Sequence, residues 1–516
     1  MRQWQLFARP TGRTLGPKRP TWRATPLVGW GSPPLVAVAA PAPRRDPLDK
    51  ERPLNANSPA ARDVRHVLHG YVELKAQRES LPTVITAGEG IYVKDENGTP
   101  YIEAASGMWC TSLGFGEEEL VEAAAEQMRK LPYYHTVGYK SVNPAIDLAE
   151  KLAEMAPIKD ARVYFALSGS EANDALVKFI RYYNNAVGRP QKKKFIARHN
   201  GYHGATVATT SLTGIPINHV AFDLPLPGFL HTTDPHYLHH AHAGETREAF
   251  AERLARELDE MIEKEGPDTV AAFMAEPITG AGGVIIPPEP YYEKVQEVLK
   301  KHDVLFLDDE VVNGIWRTGK LWGAETMGIA PDTMTVAKGL TSAYQPLSAL
   351  ILSDEIYRGM EKGSLGVGFF AHGQTYSGHP VSCAVALKVL EIIETRDIGG
   401  HVGRVSPTFA RRLQKLGEHP LVGDVRCKGL IGAVEFVADK KTGRLFDPSG
   451  VVARRIKERA ESAYKLITRN VPSGDSIAFS PPLIITESEI DEVFDRFEKA
   501  VNDVMGELAR EGAIAA

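Results

Sequence analysis

Two short segments hold residue types that could do chemistry together. Thr335-Val336-Ala337-Lys338-Gly339 puts a lysine after an apolar run, and Val304-Leu305-Phe306-Leu307-Asp308-Asp309-Glu310 puts carboxylates after another. A strand buried on both faces delivers the residues at its carboxyl end into the crevice where open α/β sheets hold their ligands. A lysine there is placed for a Schiff base, and an aspartate there can keep a pyridinium nitrogen protonated. That pairing marks pyridoxal phosphate chemistry, in which the ring is an electron sink. A single lysine after a strand is more often a solvated turn residue, so the pair, Lys338 with Asp309, needs support from elsewhere in the chain.

A third segment supplies it. In Phe165-Ala166-Leu167-Ser168-Gly169-Ser170-Glu171-Ala172-Asn173 a strand ends, two serines flank a glycine, and Ala172, Ala175, Leu176, Phe179 and Ile180 then recur at helical spacing. The start of that helix offers unpaired N–H groups and a positive dipole end, Gly169 allows close backbone approach, and Ser170 adds a hydroxyl, which together make a phosphate cup. The competing reading is that Ser170 only caps the helix. A fourth segment, Asn200-Gly201-Tyr202-His203-Gly204, follows a strand and offers Tyr202 to stack on a flat ring, against the alternative of a packed surface aromatic.

Positioning these groups requires a sheet. Apolar runs at Val163–Ala166, Lys194–Ala197, Val270–Ala275, Val304–Leu307 and Thr333–Ala337 alternate with helical patterns from about Leu120 onward, which predicts a largely parallel sheet covered on both faces. The folded body is expected to begin near Ser58. Ile91–Val93 and Tyr101–Ile102, joined through Asn97-Gly98, predict a hairpin with a type I′ turn. Toward the C-terminus the pattern becomes α+β, with strands at Leu430–Phe436 and Ile477–Phe479. A capping box, Thr486 with Glu489, precedes a helix whose apolar face is Ile490, Val493, Phe494, Phe497, Val501 and Val504.

With these elements in place the chain resembles the class III pyridoxal-phosphate-dependent aminotransferases, a branch of the fold-type I family, from about residue 80 to 505. The resemblance runs through Ser168-Gly169-Ser170-Glu171, Asn200-Gly201-Tyr202-His203-Gly204, Ala275-Glu276-Pro277-Ile278, Asp308-Asp309-Glu310-Val311, Arg317-Thr318-Gly319, Ala337-Lys338-Gly339 and Thr375-Tyr376-Ser377-Gly378-His379-Pro380. Within the class it looks most like the omega-aminotransferases that use pyruvate, through Gly107-Met108-Trp109-Cys110 and an arginine, Arg469, ahead of Ser476-Ile477-Ala478-Phe479-Ser480-Pro481-Pro482. The resemblance implies an α/β, fold-type I transferase with a large, mostly parallel sheet domain (111–385) and a smaller α+β domain from the two chain ends (56–110 and 386–516). It implies pyridoxal 5′-phosphate as cofactor, with Lys338 as the Schiff-base lysine and proton carrier. Asp309 would take the ring nitrogen with Glu276 buttressing it, Gly169 and Ser170 would hold the phosphate, and Tyr202 and Val311 would sandwich the ring. It also implies a homodimer in which Thr375 reaches the phosphate across the interface, while Trp109 lines the substrate pocket and Arg469 pairs with a carboxylate.

The reaction expected from these roles moves an amino group from an amine or omega-amino acid to a keto acid, pyruvate by this reading, giving an aldehyde or ketone plus alanine. Decarboxylation, racemisation, transamination with 2-oxoglutarate, and a cofactor-bound interaction module are the alternatives weighed; Lys338 with Asp309 speaks against the last. The chain departs from many relatives at Asn313-Gly314-Ile315-Trp316, where a bulky pair stands, and at Thr341-Ser342-Ala343-Tyr344-Gln345, departures that bear on substrate choice.

Composition fits an ordinary globular enzyme: 516 residues, 43% apolar and 24% charged, with net charge −5. No basic patch interleaved with aromatics occurs beyond the first fifty residues, so nucleic acid is not expected as a partner, and no apolar run spans a membrane. Cys110, Cys383 and Cys427 lie far apart, which fits a reducing compartment, the cytoplasm. Residues 1–55 are expected to be a disordered tail or extension, since the first fifty hold nine prolines and six early basic residues, and no acid comes before Asp46. An organelle transit peptide is the alternative. Gly314–Lys320 reads G-x-x-x-x-G-K, but Leu321 stands where a nucleotide loop needs Ser or Thr. His231, His236, His239, His240 and His242 lack metal-site register, so no metal is expected.

Overall fold

The structure, a computed structural model, describes residues 57–514, and the expected tail with its transit-peptide alternative lies outside them. The described residues fall into two units that meet in sequence at Pro82 and Thr83. In the first, Ser58 caps the helix Pro59–His66, its hydroxyl accepting from Ala61 N at 3.2 Å. Glu73 caps Leu74–Glu79, its two carboxylate oxygens accepting from Lys75 N and Ala76 N.

The second unit is built on a seven-stranded sheet: β1 (Arg162–Ala166), β2 (Lys194–Arg198), β3 (Phe229–Thr232), β4 (Val270–Ala275), β5 (Leu305–Asp309), β6 (Thr333–Val336) and β7 (Ser348–Leu352), in the order β1-β7-β6-β5-β4-β2-β3. Pairs β2/β3, β2/β4, β4/β5 and β5/β6 are parallel, while β7 runs antiparallel to both its neighbours. Every residue of β4, β6 and β7 is buried, which is why β4 reads as an unbroken apolar run, β7 departs from one only at Ser348, and β6 carries no charge. The pleat then sorts side chains between two cores. Ala272, Met274, Leu307, Leu350 and Leu352 join Leu176 and Phe179 on one face, and Phe273, Ala275, Phe306, Ala349 and Ile351 join the larger core on the other. The strand β5 ends one pleat later than its apolar residues suggest, so Asp309 is a strand residue on the same face as Leu307.

Two four-stranded sheets complete the unit. One holds Ile85–Glu89, Tyr92–Asp95 and Pro100–Glu103, with Leu466–Ile467 pairing parallel to the last of these, so that segments from both ends of the chain share one sheet. The other is Val422–Lys428, Ile431–Phe436, Asp475–Phe479 and Arg469–Val471, all antiparallel. The expected hairpin forms, with Tyr92 opposite Ile102, but its turn is not type I′: Gly98 has φ 78° whereas Asn97 does not enter the positive-φ region. The Asp95 carboxylate decides this, because Oδ1 accepts from Asn97 N and Thr99 N at 2.9 Å each and winds a longer loop. The C-terminal helix is Glu487–Arg510, with the Thr486/Glu489 capping box in place and all six expected apolar residues buried. The helix Pro380–Thr395 runs unbroken through residue 385, so the domain boundary expected there falls inside an element. Among the described residues no helix is long and apolar enough to cross a membrane.

Candidate active site

Gly169, Ser170, Tyr202, Glu276, Asp309, Val311 and Lys338 lie at or just after the carboxyl ends of the sheet's strands, and the sheet order brings them to one place. At the end of β1, Ser168 caps the helix Gly169–Ala186 by accepting from Glu171 N at 3.2 Å. Ser170 is therefore not the cap. It sits in the first turn, where its Oγ accepts from Ala205 N at 3.1 Å, and that turn presents the N–H groups of a long helix. A Cβ on Gly169 would lie 2.8 Å from Val311 Cγ2, so the glycine and Val311 touch. Gly204 has φ 141°, and a Cβ there would meet Ser170 Oγ at 2.7 Å. Both glycines keep the first turn open at close quarters.

At the end of β5, Asp309 is buried and its carboxylate is oriented from three sides. Oδ2 accepts from Asn173 Nδ2 at 2.9 Å and faces His203 Nδ1 at 2.8 Å, and Oδ1 accepts from Val311 N at 3.1 Å. Asn173 also donates to the His203 carbonyl at 3.0 Å. Glu276, after β4, does not hydrogen-bond to Asp309: Oε1 accepts from Tyr202 N at 3.1 Å and Oε2 from Gly280 N at 2.8 Å. Its expected buttressing contact is thus replaced by His203 and Asn173, and Glu276 instead fixes the backbone of the Tyr202 turn. Burial, with the nearby Asp309 charge, raises the Glu276 pKa. Arg198, also buried, braces the segment from behind, donating to the Glu276 carbonyl, to Thr279 Oγ1 at 3.0 Å and to Tyr292 Oη at 3.0 Å.

Lys338 follows β6 in left-handed conformation, φ 48°. Burial lowers its pKa, against the pull of Asp309 and Glu276, which favour the ammonium. Its Nζ lies 5.7 Å from the centre of the Trp109 ring. Trp109 is buried at φ 58°, and the Arg469 guanidinium lies 4.8 Å from the same ring. Arg469 Nη1 also approaches Met108 Sδ at 2.7 Å. Lys338, Asp309, Glu276, Tyr202, Ser170, Gly169, Val311, Trp109 and Arg469 thus form one connected group. Thr375 is outside it: it is exposed, and its carbonyl accepts from Tyr133 Oη at 2.7 Å.

The bulky departures face inward. Trp316 packs against Gly399, where a Cβ would lie 2.6 Å from the indole, and Ile315 lies against Gly339 in the core. Arg317, in the segment that resembles a nucleotide loop, is buried and donates to the Leu430 carbonyl at 2.9 Å and the Pro481 carbonyl at 2.6 Å, so that segment is a tie to other loops. Burial lowers its pKa to about 9. Of the five histidines, His236 and His239 do converge on a carboxylate, Glu435, with His236 Nε2 at 3.0 Å. Arg426 Nη1 occupies the same oxygen at 2.8 Å, so a fixed guanidinium already neutralises that group.

His203 and Asn173 were not legible as site residues. Asn173 left one trace, a polar residue on the stripe otherwise formed by buried Leu176, Val177 and Ile180. The donor set suits a flat, phosphorylated pyridine. A helix N-terminus with a serine hydroxyl takes a phosphate, a buried carboxylate takes a ring N–H⁺, and an amine of lowered pKa stands beside them, with Gly169 leaving the cradle that a Cβ would fill.

Comparison with known proteins agrees. The class-III aminotransferase family model matches residues 74–501. A chloroplastic gamma-aminobutyrate transaminase of Solanum lycopersicum is 46% identical, covering 82% of this chain and 81% of its own. A diaminobutyrate–2-oxoglutarate transaminase of Halomonas elongata is 44% identical over 88% of this chain and 98% of its own. Among solved structures, the omega transaminase of Pseudomonas jessenii in complex with PMP is 47% identical with a TM-score of 0.86, over 88% of this chain and 99% of that one. A transaminase described with L-alanine is 48% identical with a TM-score of 0.81, over 82% and 100%.

Proposed function

The chain belongs to the class III aminotransferases, fold-type I enzymes that use pyridoxal 5′-phosphate, and we propose that within that class it transfers an amino group from an amine or omega-amino acid to pyruvate. When bound, the cofactor supplies a carbonyl that takes up the amino group and a ring that takes up electrons. The first turn at Gly169 and Ser170 binds the phosphate. Asp309, oriented by His203, Asn173 and Val311 N, accepts from the ring nitrogen and holds the proton there. Tyr202 and Val311 would hold the ring between them. Lys338, whose amine is more easily neutral than an ordinary lysine, takes the proton from the donor carbon and returns it at the reacting position.

Trp109 and Arg469 form the substrate wall, and their contact is the observation that carries the choice within the class. A guanidinium resting on an indole 4.8 Å away can turn to a keto-acid carboxylate and return when an amine without a carboxylate enters. The L-alanine bound to one solved relative supports pyruvate as the acceptor. A second reading, 2-oxoglutarate, is favoured by the name of the Halomonas relative. Initial rates with a panel of amine donors against pyruvate and against 2-oxoglutarate decide between them: alanine formed in stoichiometry with consumed amine supports the first, glutamate the second.

The same reading makes the enzyme a homodimer, with Thr375 of a second copy completing the phosphate site. Thr375 is exposed beside two exposed aromatics, Tyr133 and Tyr376, which pack edge to face at 5.8 Å. Three free cysteines suit the cytoplasm.

A further inference from the structure

We propose that Glu103 is a positioning residue for substrate binding, holding the Ala105–Trp109 turn so that Trp109 faces Lys338 and Arg469. This deepens the reading above and rests on its placement of Trp109 and Arg469 at the substrate pocket.

Glu103 ends the strand Pro100–Glu103 and is 6% exposed. Its Oε1 accepts from Ala105 N at 2.9 Å, and the Gly107 N–H also acts on the carboxylate, pulling its pKa down against burial. The turn these bonds hold is a contorted one: Ser106 has φ 47°, Gly107 φ 64° and Trp109 φ 58°. Serine and tryptophan adopt that conformation only where surrounding contacts impose it. A second pin, Ser106 Oγ donating to the Ser480 carbonyl at 2.6 Å, fixes the turn from the other side. The strand Leu466–Ile467, which leads through Thr468 into the strand that begins at Arg469, is registered to the same point, because Glu103 lies opposite Ile467 and Ala104 N donates to the Ile467 carbonyl at 3.0 Å. One carboxylate therefore fixes the turn that presents Trp109, at the level from which Arg469 departs.

A carboxylate suits this task because both oxygens accept and neither donates. Glutamine or a protonated acid turns one of them into a donor facing an N–H. Burial pushes Glu103 up to about 7, with Glu461 on the helix Val451–Tyr464 pushing it further up and Arg469, two residues beyond the neighbouring strand Leu466–Ile467, drawing it down. Below about that pH the second acceptor is lost and the turn loosens.

The test uses the holoenzyme and single-turnover half-reactions from pH 5.5 to 8.5, comparing wild type with Glu103→Gln and Trp109→Ala. Glu103→Gln should raise the half-saturating substrate concentration at least tenfold at pH 8, leave the maximal rate and the bound-cofactor absorbance within twofold, and remove the pH dependence of half-saturation. Wild type should show half-saturation rising as pH falls through about 7. A flat wild-type profile overturns the proposal even if Glu103→Gln does not fold. A variant that loses maximal rate in proportion, or keeps the wild-type pH profile, overturns it as well. If Trp109→Ala leaves half-saturation unchanged, it is the pocket assignment that fails. If Trp109→Ala raises it and Glu103→Gln does not, only the role of Glu103 falls.

Discussion

His203 Nδ1 lies 2.8 Å from Asp309 Oδ2, and the two side chains are buried together beneath the Tyr202 turn. The imidazole reaches Asp309 from the loop after β2, and Asn173 reaches the same oxygen from the helix after β1 while also donating to the His203 carbonyl. Two segments, following β1 and β2, thus meet on one carboxylate oxygen at the end of β5. Its orientation is set before any ligand arrives, and preorganised electrostatics of this kind is where the largest catalytic effects come from.

Asp309→Asn should abolish most turnover, by about a thousandfold or more, because an amide cannot hold the proton on the ring nitrogen. His203→Leu should do less, roughly ten- to a hundredfold, since Asp309 keeps its charge and two N–H donors. Single-turnover rates with one amine would rank the two. A His203 variant as damaged as Asp309→Asn would mean that the imidazole takes part directly.

Lys338 should be the residue that borohydride reduction links to the cofactor, read by mass spectrometry of the labelled peptide. Lys338→Ala should abolish turnover while retaining cofactor, because the phosphate cup at Gly169 and Ser170 and the carboxylate at Asp309 remain. Gly169→Ala should show the reverse dependence. Its new methyl meets Val311 at 2.8 Å, so cofactor affinity should drop severalfold or more while added cofactor restores much of the rate. Cofactor retention by Gly169→Ala equal to wild type would contradict the cradle.

Five of the seven strands were legible in the sequence as runs rich in apolar residues, while β3 and the fully buried β7 were not, and the residues at the ends of β1, β2, β4, β5 and β6 could be read as one crevice from chain order alone. What joins them was not. The pairing of His203 and Asn173 with Asp309 depends on how three loops pack at the end of the sheet, and no local period encodes it. Glu276 was placed on the right loop with the wrong partner for the same reason: its position is set by the strand, but its two hydrogen bonds go to backbone N–H groups that become neighbours only after the Tyr202 and Gly280 turns fold. The turn after Tyr92–Asp95 shows the local version of this limit. Asn-Gly favours a type I′ turn, and the Asp95 side chain, outside the dipeptide, overrides it.

Glu435 offers a stability test away from the chemistry. Burial alone would raise its pKa, yet hydrogen bonds from His236 and His239 and the charge of Arg426 hold it far below the usual glutamate range. Glu435→Leu removes the acceptor while Arg426 keeps only Asp424 as an anionic partner, and should destabilise the protein by about 3–5 kcal/mol, as breaking a buried pair does. Because the folded pKa is depressed, the stabilisation is present above the ordinary glutamate pKa and is lost as pH falls through the lower folded value. The shift in urea midpoint between wild type and variant should therefore hold from neutral pH to about pH 5 and shrink only in stronger acid. A difference that disappears already near pH 6 would assign the effect to the histidines.

Arg469→Ala tests the substrate assignment. In the structure the guanidinium rests on Trp109 at 4.8 Å and is partly exposed, so a carboxylate that pairs with it does so near solvent. The charge-assisted bond is then worth about 1.5–3 kcal/mol, roughly ten- to a hundredfold in the rate constant ratio for a carboxylated substrate. An alkyl or aryl amine without a carboxylate never forms that bond. The variant should lose that factor in the half-reaction with pyruvate and keep the amine half-reaction within about threefold, each followed separately by the absorbance of the bound cofactor. Loss of Arg469 also exposes the indole face that it covered, which should if anything favour an apolar amine. Equal losses in both halves would make Arg469 a support for Trp109 rather than a carboxylate partner, and would remove the main structural reason for preferring a keto acid of pyruvate's size.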